Sequence, residues 1–139
     1  MIKELCTDQA ILSTRCTKAT PEDAGVAQDL IDTLQATEDA ACLAANQIGV
    51  TKSVIVYVDD NKQVHVMYNP RLIMGLGAAR MIESCMTKEA ESKVTRYAKA
   101  KIGWDDLVDG SFVPRKHDFV GWEAQMIQHM IDHCRGKYV

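Results

Sequence analysis

Gln128-His129-Met130-Ile131-Asp132-His133-Cys134-Arg135-Gly136-Lys137-Tyr138 places two histidines four residues apart. On a helix, positions i and i+4 share a face, so His129 and His133 can grip one metal ion. Hydrolases built on such a pair normally carry a glutamate, the general base, directly after the first histidine. Here that residue is Met130. The stretch keeps two ligands and lacks the acid–base group. Gly136 suits the residue just past a helix end, so a closing helix is expected from about 121 to 135.

Two histidines need a third ligand. Cys85, in Ile82-Glu83-Ser84-Cys85-Met86-Thr87, is a candidate, because a Cys-His-His set suits Zn²⁺ or Fe²⁺ and leaves one position open for water. Spacing alone does not decide this. A free cysteine is commonly a small buried hydrophobe, and a histidine pair at helical spacing can be surface or core filling.

Further toward the N-terminus, Thr20-Pro21-Glu22-Asp23 has the form of a helix start, with a hydroxyl N-cap, proline at N1 and acids in the first turn. Val26, Leu30 and Leu34 follow at helical spacing, which predicts a helix over roughly 21–36. Residues 53–58 read as a strand, and the Asp59-Asp60-Asn61-Lys62 turn leads to a second at 64–68, ended by Asn69-Pro70. Two more strands are expected at 94–104 and 112–116, around Asp109-Gly110. A helix, several antiparallel strands and a final helix make an α+β chain.

With 139 residues and 47% apolar content, the chain is expected to form one domain, 1–139, with a real core. The net charge of −3 gives no electrostatic footprint for nucleic acid and no basic run for a membrane surface. The N-terminus has no signal-like apolar region. Five cysteines at scattered positions fit reduced thiols in the cytoplasm better than a disulfide framework.

One further segment, Cys42-Leu43-Ala44-Ala45-Asn46-Gln47-Ile48-Gly49, brings a resemblance. Taken in order with Glu83 to Thr87 and His129 to His133, it is similar to the three motifs of the peptide deformylase family, G-x-G-L-A-A-x-Q-x-G, E-G-C-x-S and H-E-x-x-D/H. Asn69-Pro70 and Arg96 also stand where that family commonly has Asn-Pro and Arg. The resemblance implies antiparallel sheets around a C-terminal metal-binding helix. It further implies one Fe²⁺ or Zn²⁺ ion on Cys85, His129 and His133, with water as a fourth ligand. Gln47 and the backbone N–H of Met86 would form an oxyanion hole. Glu83, Asp132 and Arg96 would orient the ligands. Without the resemblance, Asp132 reads as a solvated helix residue and Arg96 as an exposed strand charge.

Set against that pattern, the chain departs in several places. Met130 replaces the glutamate that carries the proton, matching it in length but not in chemistry. Trp122, Gln125 and Met126 precede His129 at helical intervals and should line the cavity, where the family has smaller apolar groups around a methionine side chain. Trp122 alternatively packs into the core. Cys42 stands for a glycine that lets the substrate backbone approach, and Ser84 for the glycine beside the cysteine.

Three functions follow from this reading. One is an impaired deformylase-like protein that binds a peptide N-terminus or another small ligand. Another is an active hydrolase of N-formyl or other N-acyl amines, with water or Glu83 moving protons. The last is a partner-binding domain whose metal is structural and closed by Cys42 or Cys134.

Overall fold

A computed structural model describes residues 1–139. Three helices, α1 (Gln9–Leu12), α2 (Ala24–Ala36) and α3 (Gly121–Cys134), flank strands β1 (Cys42–Ala44), β2 (Val54–Val58), β3 (Val64–Cys85), β4 (Lys88–Val108) and β5 (Ser111–Val120). The strands form a single antiparallel sheet in the order β1-β2-β3-β4-β5. The fold is α+β, as expected, with one continuous sheet.

β2 shows why the sheet lies in the middle. Its residues Val54 to Tyr57 are all buried. Ile55 and Tyr57 join the cluster that includes Ala124, Ile127, Met130 and Ile131 of α3. Val54 and Val56 join the cluster holding Ala27, Leu30 and Leu34 of α2. Alternate residues face opposite sides of a strand, so α2 and α3 cover opposite faces here.

The start of α2 follows its sequence signal. Asp23 accepts the Thr20 N–H at 2.8 Å, and Pro21–Asp23 form a 3₁₀ turn before the α-helix proper. Gly136 has φ +77°, and a Cβ there would come within 2.6 Å of the Arg15 backbone nitrogen. It therefore both ends α3 and lets the segment at Thr14–Arg15 pack against that end.

Asn69-Pro70 does not end a strand. Asn69 (φ +53°) sits at a register shift inside β3, and its amide bonds Ala19 on both backbone groups and Asp105. Asparagine tolerates the left-handed region, and proline is accepted at a bulge where no ladder donor is needed. β4 begins at Lys88, six residues before the expected start, and β5 runs to Val120. In the added part of β4, 88–93, the one buried side chain is Ser92. With a polar residue at its only buried position, that part offers no apolar alternation to read.

Candidate metal centre

Three elements converge on one cavity. A short 3₁₀ turn over Ala45–Ile48 follows β1 and ends at Gly49 in the left-handed conformation. Within it, Gln47 accepts the Ala44 N–H through Oε1 at 2.9 Å. That bond fixes which way the amide faces. Its Nε2 then donates to Cys85 Sγ at 3.2 Å and Thr87 Oγ1 at 3.1 Å. The end of β3 contributes Glu83 and Cys85, and a register shift between them turns both toward α3. From α3, His129 and His133 project one turn apart, with ring centroids 4.9 Å from each other and ring planes tilted by 59°.

The ligand atoms of Cys85, His129 and His133 all lie within 4.8 Å of one another. Cys85 Sγ is 3.5 Å from His133 Nε2. His129 Nδ1 is 2.7 Å from Glu83 Oε1. With Glu83 ionised, Nδ1 donates to it, so Nε2 is the nitrogen left to meet a ligand. This donor set fits a divalent ion of the Zn²⁺ or Fe²⁺ type. Neither Cys42 nor Cys134 belongs to the group, and burial holds both thiols up at about 12. Cys85 and His129 line the cavity, with His133 buried beside them, and no fourth protein ligand joins the group to close a structural site.

The charges around the ligands are strongly coupled. Burial opposes ionisation of Cys85, but His129, His133 and Thr87 outweigh it and bring its pKa down to about 5. Burial likewise opposes a charged His129, while Cys85 and Glu83 raise it to about 9. Glu83 is buried too, yet His129, Arg96 and Gln125 lower it to about 2. At neutral pH the thiol is a thiolate, the form that binds metal.

Behind the ligands lies a buried ion network. Arg96 donates to Glu83 through Nη2 at 2.8 Å and through Nε, and to Asp132 through Nη1 at 2.8 Å. Arg96 and Asp132 are buried, so neither is a solvated surface charge. Removing one member of such a network leaves the others desolvated and unpaired. Arg96→Ala should lower unfolding stability by about 3–5 kcal/mol, measured by urea denaturation of the metal-free protein. A loss of under about 1 kcal/mol would place the pair in the class of exposed bridges.

The cavity beside the ligands has a volume of about 290 Å³. Cys42, Gln47, Met86, Met126 and Met130 all line it. Met130 is 2% exposed and Met126 3%. Trp122 is 61% exposed, at the cavity's rim; it neither packs into the core nor plugs the interior. Gln125 donates its amide to Glu83 Oε2 at 2.8 Å, so that donor is engaged with the carboxylate instead of standing free in the slot. Ser84 is exposed on the same wall.

Some contributors were not singled out by sequence. Thr87 is buried, bonded by Gln47 and 3.4 Å from Cys85 Sγ. It stands where the family motif has serine, so its hydroxyl was readable. Asn46 donates to the His133 carbonyl at 2.9 Å. Gln128 bonds both backbone groups of Tyr97, tying α3 to β4. A glutamine one residue before the histidine pair, on the predicted closing helix, was its only signal.

Comparison with known proteins places this site in context. A family model described as polypeptide deformylase matches residues 2–139. A peptide deformylase of Clostridium beijerinckii is 36% identical over 137 residues, covering 98% of both chains. Peptide deformylase 2 of Streptomyces avermitilis is 36% identical over 136 residues, covering 91% of this chain and 70% of its own. The crystal structure of a peptide deformylase from Legionella pneumophila superposes with a TM-score of 0.83 at 26% identity, over 99% of this chain and 83% of its own.

Proposed function

The chain belongs to the peptide deformylase family, and we propose that it retains the metal centre and peptide cleft but removes formyl groups poorly. The observation that carries this reading is Met130, which lines the cavity at 2% exposure directly after His129. A thioether accepts and delivers no proton at neutral pH.

Each remaining residue has a role in binding. Cys85, His129 and His133 would hold one Fe²⁺ or Zn²⁺ ion, which when bound supplies Lewis-acid polarisation and a more acidic water. Gln47, whose amide donates to Cys85 and Thr87, would turn an N–H to the formyl oxygen together with the Met86 backbone N–H. Glu83 keeps His129 in the tautomer that ligates, with Arg96, Asp132 and Gln125 fixing the carboxylate in turn.

The rival reading needs another proton carrier. Glu83 is the carboxylate nearest the ligands, but it accepts from Arg96, Gln125 and His129 and is held at about 2. A base that weak is poorly matched to proton transfer near neutral pH. Asp39 also lines the cavity, exposed on its rim and outside the ligand cluster. The free thiols fit a reducing compartment, and the cytoplasm is the proposed location.

Equilibrium binding tests this function. Calorimetric titration of Zn²⁺-loaded protein with a formyl-Met tripeptide should show one saturable site that disappears when the metal is chelated. Mass spectrometry of the recovered peptide should find the formyl group intact. Loss of the formyl group within the titration would contradict the reading, and metal-independent binding would remove the cleft from it.

A further inference from the structure

A net charge of −3 conceals a segregation of charge. Two cavities of about 500 Å³ each adjoin on the other side of α3 and share Leu72, Ile131 and Arg135 as a common wall. Arg15, Lys18 and Arg71 line one of them together with Arg135. Arg80, Lys93 and Lys137 line the other, also with Arg135. Asp132 is the one acidic side chain lining either cavity, and it already accepts from Arg96.

Six of the seven have no ion-pair partner. Only Lys137 approaches a carboxylate, Asp132 at 3.7 Å, which Arg96 on the same wall already holds; Arg80 donates to the Thr95 hydroxyl. All seven are exposed. Arg135 and Lys137 follow the C-terminus of α3, where a cation also offsets the carbonyl end of the helix. That role does not extend to Arg15, Lys18, Arg71, Arg80 and Lys93, which come from other parts of the chain. Like charges gathered on one face raise the energy of the free protein, and an anion relieves it.

We propose that this double groove binds the phosphodiester backbone of a nucleic acid. Its cations come from four separate segments and spread along two adjoining cavities. A small phosphate ester needs only a few donors converging on one point, whereas spaced lysines and arginines match the repeated charges of a polyanion. Tyr97 is the one aromatic ring lining either cavity, and it is half-buried and packed over Gly75, so recognition is chiefly of the backbone, without sequence preference. The groove uses Gln128, Ile131, Asp132 and Cys134 of α3 and Arg135 just beyond it, and the metal cavity uses none of these. The two sites can therefore be filled together.

The test is fluorescence anisotropy of a labelled single-stranded RNA of mixed sequence, about 12 nucleotides long, with the metal-loaded full chain. With five cations engaged, log K should fall against log salt with a slope of about −3.5, so binding weakens about a hundredfold from about 50 to about 200 mM salt. The triple reversal Lys18→Glu, Arg71→Glu, Lys93→Glu should weaken binding at least about tenfold while leaving the melting temperature and metal content unchanged. The same charge change on other surfaces, Lys3→Glu, Lys62→Glu, Lys116→Glu, should cost much less. Equal losses in the two triple variants would overturn the proposal, as would absence of binding at low salt. Displacement of the RNA by equimolar inorganic diphosphate would assign the groove to a small anion and overturn it equally.

Discussion

Met130→Glu is expected to raise formate release from a formyl-Met peptide by about 10²–10⁴-fold over the parent, the usual worth of a positioned acid–base group. Methionine and glutamate have similar length and neither branches, so the new carboxyl should reach the position that the Met130 thioether holds in the cavity wall. That position is 2% exposed. Burial disfavours the charged carboxylate and raises its pKa toward neutrality, where a general base works best. The same burial has a cost, since the carboxyl enters a cluster containing Ile55, Met67, Ile127 and Ile131. Stability should fall by about 1–3 kcal/mol while the rate rises. Met130→Gln separates the two effects, because it brings the polarity without the proton. A gain in Met130→Gln equal to that in Met130→Glu would contradict proton transfer as the missing function. If neither variant gains, the fault lies in Cys42, Gln125 or the Trp122 rim.

Cys85→Ala should abolish metal binding. Cys85 is the only thiol in the cluster and the one cysteine whose pKa is drawn down, to about 5. Without it two imidazoles remain, both from α3, which is too few for a stable site of this type. Plasma emission analysis should fall from one ion per chain to background, and His133→Ala should behave alike. The parent should gain about 4 kcal/mol of stability when free metal exceeds its dissociation constant about a thousandfold, and Cys85→Ala should gain nothing. Cys42→Ala and Cys134→Ala should keep full occupancy. Retained metal in Cys85→Ala, or its loss in Cys134→Ala, would refute the ligand set.

What could be read in advance depended on how local each signal was. The two main helices and the strand at β2 carry their own capping and apolar patterns, so their places were visible. Asn69-Pro70 was misread because its φ +53° bulge is stabilised by contacts with Ala19 and Asp105, both remote in sequence. The early part of β4, 88–93, escaped because its one buried side chain is Ser92, where a strand usually buries valine or isoleucine. Arg96 is tolerated inside β4 because Glu83 and Asp132 meet it. At the site, the ligand triad was suggested by motif order, but the partners of each side chain were not. Trp122 and Gln125 show the limit: helical spacing placed both beside the cavity. It could not show that one stands exposed at the rim and the other bonds Glu83.

The charge groove adds a similar lesson. Arg15, Lys18, Arg71, Arg80, Lys93, Arg135 and Lys137 are scattered in sequence, and their sum is cancelled by acids elsewhere. Only the fold gathers them.

The central claim is that the metal centre persists while its proton carrier is gone. Single-turnover formate release by the Fe²⁺-loaded parent under anaerobic conditions, with protein in excess over formyl-Met peptide, tests it most directly. Retained metal and a slow release, rising at least about a hundredfold when Met130→Glu is substituted for the parent, is the predicted result. Brisk release by the parent, unchanged by that substitution, would contradict the account.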